Sequence, residues 1–288
     1  MACGRTAGAR MSRQRPVPLL EVSSVPCRVI ERLNRFVVRV ELQGGASLAH
    51  LNNTGRLLDY LRPGASAYCS PRTAPGRTGY RLIAFADGEA AALVDTSLQM
   101  RAFEAALAED LIPWAPACSI ARRSPRLGGS VLDYLLECAH PPGLAYVEVK
   151  SAVLRGPGGA AMYPDCPTER GRRQLLEMIR HSRSARMIVA FIAALPGAAA
   201  FRPNALGDPV MPELLARAAS AGVEIRALSM HYDGRRILLD DPDLPVELQR
   251  LGASPARKSL SRALPPAPWS GSLWSAWSPA PRTGSPSR

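Results

Sequence analysis

From residue 25 to about 85, apolar positions recur every second residue in short runs broken by Gly, Pro and Asn. Residues 27–33 form one run, and Phe36-Val-Val-Arg-Val-Glu-Leu42 alternates within residues 35–42. A period of two marks a strand with one buried face. Gln43-Gly44-Gly45 predicts a turn into a strand over 46–51, and 80–85 reads as a further strand. Strands at this spacing with hardly any helix predict a small closed or partly open β-barrel. Between them, Ala49-His-Leu-Asn-Asn53-Thr54-Gly55-Arg56-Leu is rich in turn formers. It reads as a loop leading to a short helical or strand piece that ends at Pro63-Gly64.

Beyond Asp87-Gly88, a tight-turn pair joining 80–85 to 91–94, the period changes. Thr96 or Ser97 can cap a helix running to about Leu107, with Leu98, Phe103, Ala106 and Leu107 on its apolar face. Strands are predicted over 119–123, 131–137 and 144–153, and Thr168 can cap a helix to about His181. A strand over 187–194, a helix over 212–221 ended by Gly222, and a last strand over 223–229 complete an α/β pattern with a mixed sheet. The division this suggests is a barrel over residues 21–86 and an α/β domain over 87–253. Residues 1–20 (Arg, Gly, Pro) and 254–288 (Pro, Ser, Arg) lack periodicity and are expected to be disordered. Trp269, Trp274 and Trp277 in the second tail could form a short partner motif.

The net charge of +12 points to a polyanionic partner. Its distribution tempers that reading. Residues 1–20 hold four arginines and no acid, and residues 254–288 hold five basic residues and no acid, so the body between them carries only +3. The six cysteines are scattered without a CxxC pair, and four scattered histidines complete no zinc signature. Reduced thiols and a cytoplasmic location are the expectation. Leu19-Leu20 is too short for a signal-peptide core, and no run approaches the length of a membrane span.

Candidate chemistry lies between Asp133 and Gly171. In Tyr146-Val-Glu148-Val-Lys150 the acid and the lysine share one strand face while Val147 and Val149 turn to the core. Only two of the 36 basic residues are lysines, Lys150 and Lys258, and Lys258 lies in the tail. A chain that otherwise places Arg wherever it needs positive charge keeps one lysine beside an acid, and lysine offers a compact ammonium with an adjustable pKa. With Asp133 arriving from a neighbouring strand, the set could hold a divalent metal and activate a water. A plain Glu–Lys surface pair is the alternative.

Several motifs stand in order from about residue 19 to 248. They include Arg32-Leu-Asn-Arg35-Phe-Val, Ala49-His-Leu-Asn-Asn-Thr-Gly-Arg, Pro75-Gly-Arg-Thr-Gly-Tyr, Tyr146-Val-Glu-Val-Lys-Ser, Tyr163-Pro-Asp-Cys-Pro-Thr-Glu-Arg-Gly and Phe201-Arg-Pro-Asn. Together they resemble the sugar fermentation stimulation protein family of prokaryotes. The resemblance implies an α/β chain, α+β overall. A small N-terminal OB-like β-barrel would precede a PD-(D/E)xK nuclease-like α/β domain with a mixed central sheet. It also implies a DNA-binding regulator of sugar (maltose) utilisation, with Mg²⁺-dependent phosphodiester cleavage as the alternative activity. The nuclease-like catalytic triad falls on Asp133, Glu148 and Lys150, with Asp133 and Glu148 as ligands for Mg²⁺ and Glu104 as an additional acid. The pattern departs at Met100, Ser124, Val131 and Gln174, where Asn, Glu, Arg and His would be usual.

Two basic groups are candidate DNA contacts. Arg170, Arg172 and Arg173 open the helix after Thr168, where free backbone N–H groups already favour an anion. Arg56, Arg77 and Arg81, with Arg72, ring the barrel loops. Barrels of this type stack bases on aromatics, and Tyr60, Tyr68 and Tyr80 are available, core packing being their other role. DNA is thus the expected partner, without a membrane, and an oligomer is open.

Overall fold

Alternation at period two builds the first half of the chain. A computed structural model describes residues 15–72 and 76–248. In chain order it begins with strands β1 (Val17–Glu21), β2 (Val25–Asn34), β3 (Val37–Leu42), β4 (Gly45–Leu51), β5 (Ser66–Pro71), β6 (Tyr80–Asp87) and β7 (Ala90–Leu93). Helix α1 (Thr96–Ala108) follows, then β8 (Cys118–Arg123), β9 (Arg126–Leu127), β10 (Ser130–Val131), β11 (Tyr134–Ala139), β12 (Pro142–Ala152), β13 (Leu154–Arg155) and β14 (Ala160–Tyr163). The order closes with α2 (Glu169–His181), β15 (Arg186–Ala193), β16 (Ala200–Pro203), α3 (Met211–Ser220), β17 (Glu224–Tyr232) and β18 (Arg236–Asp241).

The barrel is closed. Strands pair in the order β4-β3-β2-β5-β6, and a parallel contact of Ala49–Leu51 with Tyr80–Leu82 returns β6 to β4. Inward positions such as Val29, Val38, Val40, Ala49 and Leu82 are buried, as the alternation requires. Gly44 and Gly45 take positive φ at the β3–β4 turn, where a side chain would be strained. The segment before Pro63-Gly64 is a series of turns, neither helix nor strand.

From the barrel, β6 and β7 carry the same sheet onward through β17, β15, β12, β11 and β8. β12, β15 and β17 run parallel, and α2 and α3 lie in the crossovers. β15 reads as a continuous apolar run because its residues from Met187 on are buried on both faces. Tyr134 sits opposite Val147 on β12, and its ring lies 5.8 Å from Phe103 of α1. Lys150, at the opposite parity on β12, bonds Gln174 of α2. The two helices therefore cover opposite faces of the sheet at this point.

Several sequence expectations need correction. Of the basic extension over 1–20, residues 17–20 belong to β1, which pairs with β18; the remainder up to residue 14, and the tail over 254–288, lie outside the described residues. β17 is not the last strand, because β18 turns back against it and supplies β1's partner. The strand expected over 131–137 is broken at Leu132 and Asp133, with the Asp133 carbonyl accepting from Ser124 N. Asp95, not Thr96 or Ser97, caps α1 by accepting from Leu98 N at 2.9 Å. The cysteines are not all reduced: Cys118 and Cys138 form a disulfide. They face each other across β8 and β11, a juxtaposition that their 20-residue separation does not reveal.

Candidate functional site

Asp133 sits where the chain leaves one short strand and enters the next, so its side chain can turn toward β12. There its Oδ2 accepts from Val149 N at 2.7 Å. Glu148 and Lys150 project from the same face of β12, as the alternation predicts, and Lys150 Nζ donates to Glu148 Oε1. Lys150 Nζ also donates to Gln174 Oε1 at 2.8 Å, and Gln174 Nε2 donates to the Val131 carbonyl at 2.9 Å. Gln174, which interrupts the family-like pattern, is thus the residue that aims the lysine. Thr168 caps α2 by accepting from Gly171 N, as expected, and this sets the first turn of the helix beside the carboxylates.

The three residues line one cleft of about 540 Å³ between the barrel and the α/β domain. Arg35 and the Asn52–Gly55 loop form its barrel side, and Tyr163, Asp165 and Arg170 lie on the other. Asp165 ties the two sides, with Oδ2 accepting from Leu57 N at 3.0 Å. A Cβ on Gly55 would lie 2.5 Å from that same oxygen, so any side chain there would have to push the carboxylate aside. Asn53 braces the loop through Val94 O at 3.0 Å and Gly55 N at 2.8 Å. Asp165 and Asn53 were visible in the sequence only as members of motifs. Their partners lie 108 and 41 residues away.

Electrostatically the site is under-compensated. Glu148 is 3% exposed, and its Oε2 is buried with no hydrogen-bond partner. Burial pushes the Glu148 carboxyl up to about 7, Lys150 pulling against the rise and the Asp133 charge adding to it. Burial also raises Asp133, opposed by the Val149 amide, Lys150 and Arg170.

The other candidates are dispersed. Glu104 is held by Arg123 through two bonds of 2.9 and 3.2 Å and accepts from Tyr134 Oη at 2.8 Å. It does not join Asp133 and Glu148, and among the described residues no three His, Cys, Asp or Glu gather as metal ligands. Arg172 is bound to the fully buried Asp208 by two bonds, and Arg81 to the fully buried Asp95. All of Arg56, Arg77, Arg170 and Arg173 are exposed, and of these Arg170 lines the cleft. Tyr60 is buried and stacks on Phe85, Tyr68 meets Tyr232 edge-on, and Tyr68 and Tyr80 are partly buried against the core.

Residues 30–94 match the SfsA N-terminal OB domain, and residues 97–236 match the sugar fermentation stimulation protein RE domain. The sugar fermentation stimulation protein homolog of Pyrococcus furiosus is 45% identical over 80% of this chain and 99% of its own length. That of Archaeoglobus fulgidus is 42% identical over 78% of this chain and 96% of its own length. The structure of Pyrococcus furiosus SfsA in complex with Ca²⁺ superposes with a TM-score of 0.76 at 44% identity, covering 81% of this chain and all of that one.

Proposed function

Because this chain belongs to the sugar fermentation stimulation protein family, we propose that it binds DNA across the cleft and holds a divalent cation there between Asp133 and Glu148. The buried, unpartnered Glu148 Oε2 carries this reading. Buried polar atoms ordinarily find a partner, and a buried carboxylate oxygen without one is costly. A cation at that oxygen would remove the cost. The donor set is two carboxylates without sulfur or imidazole, which suits a hard, oxygen-preferring ion such as Mg²⁺. The Pyrococcus furiosus relative is described in complex with Ca²⁺, an ion of the same preference.

When bound, Mg²⁺ would neutralise developing charge on a phosphate and lower the pKa of its own water. The chain's residues supply the rest. Arg35 and Arg170 draw the backbone phosphates into the cleft, and the Asn52–Gly55 loop bounds it from the barrel. Gln174 holds the Lys150 ammonium against Glu148, so its one remaining proton can be directed to a phosphate oxygen or an attacking water. That placement, of the one lysine in the body, favours a second reading: a Mg²⁺-dependent phosphodiesterase using Asp133, Glu148 and Lys150. An influence on sugar (maltose) utilisation genes would act through the same DNA binding.

Titration calorimetry with Mg²⁺ and Mn²⁺, on wild type and Asp133→Ala, tests the cation site. DNA affinity across a salt series and cleavage of single-stranded and duplex DNA run alongside. Metal uptake lost in the variant, with DNA affinity that falls steeply with salt, supports the proposal. Metal-dependent cleavage abolished by both Asp133→Ala and Lys150→Ala establishes the second reading. No metal uptake by the wild type sinks the cation site, and salt-insensitive binding sinks the phosphate contacts.

A further inference from the structure

A second basic concavity of about 450 Å³ opens on the barrel beside the cleft, lined by His50, Asn52, Ser70, Arg72, Arg81 and Ser97. Both of its arginines are anchored from below. Arg72 Nη1 donates to Thr78 Oγ1 at 3.0 Å, and Thr78 is buried. Arg81 grips the buried Asp95 through Nε at 3.0 Å and Nη2 at 2.6 Å. The two-point grip fixes the plane of Arg81, while Arg72 is held at one point, and each five-donor guanidinium keeps other N–H groups for a ligand. Ser97 stands in the first turn of α1, at the positive end of a 13-residue helix, and its hydroxyl accepts from Asn52 Nδ2 at 2.5 Å.

An exposed ring adjoins this group. Phe36 is 45% exposed, and its ring lies 6.3 Å from that of His50 with 19° between the planes. Exposed aromatic faces beside a basic groove are what single-stranded nucleic acid uses for base stacking. The concavity and the cleft share one lining residue and are flanked by sequence neighbours at two other places. Asn52 lines both; Arg35 lines the cleft while Phe36 covers His50; Thr96 lines the cleft while Ser97 lines the concavity.

We propose that this concavity is a nucleotide subsite contiguous with the cleft, its phosphate held by Arg72, Arg81 and Ser97 and its base stacked on Phe36 and His50. It rests on the DNA-binding reading above and adds the substrate class: a single strand, one of whose nucleotides is clamped by the barrel while its neighbour lies at Asp133 and Glu148. The phosphate can be the terminal one of a strand or an internal diester. His50 reports occupancy. Burial lowers its pKa, and the charges of Arg72 and Arg81 lower it further, so an anion entering the concavity returns it upward.

The test uses the full chain with inorganic phosphate and with a short oligothymidylate carrying either a 5′-phosphate or a 5′-hydroxyl. Wild type is compared with Arg72→Gln, Phe36→Ala and Asp133→Ala. Arg72→Gln should lower oligonucleotide affinity about tenfold and reduce the salt slope by about one, with metal uptake at Asp133 unchanged. Phe36→Ala should lower affinity about tenfold with the salt slope unchanged, since stacking releases no counterions. The ring nitrogens of His50, followed by NMR titration, should shift to a higher pKa with phosphate in wild type and not in Arg72→Gln. A preference for the 5′-phosphate that Arg72→Gln removes assigns a strand end; equal affinity, reduced alike in that variant, assigns an internal diester. If Arg72→Gln and Phe36→Ala bind like wild type while Asp133→Ala loses DNA, the subsite is wrong and the cleft reading survives. If wild type binds no DNA, the parent reading fails. An unmoved His50 under phosphate then overturns the subsite as well.

Discussion

Replacing Glu148 by Gln asks whether the carboxylates await a cation or serve only as the counter-ion of Lys150. The buried Glu148 carboxyl titrates at about 7 instead of its ordinary 4.5. Below about 4.5 it is protonated in both folded and unfolded chains and contributes nothing. As pH rises toward 7 the unfolded chain releases its proton while the folded chain keeps it, so folding is penalised progressively and fully above about 7. At about 1.4 kcal/mol per pKa unit the full penalty is about 3 kcal/mol, against less than about 1 kcal/mol near pH 5. Gln keeps the shape and an oxygen for Lys150 but has no charge to bury. Metal-free Glu148→Gln should therefore be more stable than metal-free wild type at pH 8.5. The upper bound of the gain is about 3 kcal/mol, or about 6 to 12 °C in Tm for a body of this size, and most of it should vanish at pH 5. Calorimetric or dichroism melts at the two pH values, with chelator and then with Mg²⁺, read both effects. Mg²⁺ should raise the Tm of wild type and leave the variant unmoved. A variant less stable than wild type at both pH values would refute the reasoning and make Glu148–Lys150 a structural ion pair.

Three further outcomes follow from the geometry. Gly55→Ala forces a methyl against the Asp165 carboxylate, at 2.5 Å in the undisturbed geometry. It should cost about 1–3 kcal/mol in denaturant melts and weaken DNA binding through the displaced loop. Asp208→Asn breaks a fully buried acceptor of Arg172, Thr168 N and Val210 N. Burial alone would raise that carboxyl, but these donors together hold it below its ordinary 3.8. Removing one charge of this buried pair should cost about 3 kcal/mol at neutral pH, and the deficit should narrow as pH falls through the depressed value, where the wild-type carboxyl is protonated too. Reducing Cys118–Cys138, or replacing both by Ala, opens a link spanning 20 residues and should lower stability by about 3 kcal/mol, with thiol counting by mass spectrometry confirming the bond.

The strands of the barrel and the helix after Thr168 were legible because each is decided locally. Period-two alternation needs only the pleat, and a capped amphipathic helix needs only its own turns. The Glu148–Lys150 pair was legible for the same reason, since strand parity alone puts both on one face. What failed was non-local. β1 is short and follows a basic stretch, and it becomes a strand only because β18 offers it an edge. The Asp95 carboxylate that caps α1 also accepts from Arg81, 14 residues earlier, and that pairing belongs to the barrel. Of the cationic candidates, sequence could not tell Arg170, which meets the cleft, from Arg172, neutralised by an aspartate 36 residues on. The tyrosines look like stacking platforms by composition, yet the exposed ring is Phe36, placed there by the hairpin from β2 to β3.

The separation between cleft and barrel concavity is set by how the barrel is fastened. One sheet runs from β6 through β7 into β17, where Ala91 pairs with Tyr232. Asp165 holds the loop after Gly55 through Leu57 N at 3.0 Å, and Arg155 reaches Asp87 of β6 at 2.6 Å. Thr96 and Asn52 join the start of α1 to the barrel through a bond of 2.8 Å. A hinge between barrel and α/β domain would have to break several of these links at once. On the proposed reading, a strand bridging Phe36 and Asp133 would meet two points whose relative placement is already fixed, so little ordering entropy would be lost in bringing them together. Lengthening the β6–β7 turn should therefore leave the junction and the affinity nearly unchanged, because that turn is not what fixes the distance. Loss of the Asp165 carboxylate should loosen it, and Asp165→Ala should weaken oligonucleotide binding more than inorganic phosphate binding at His50.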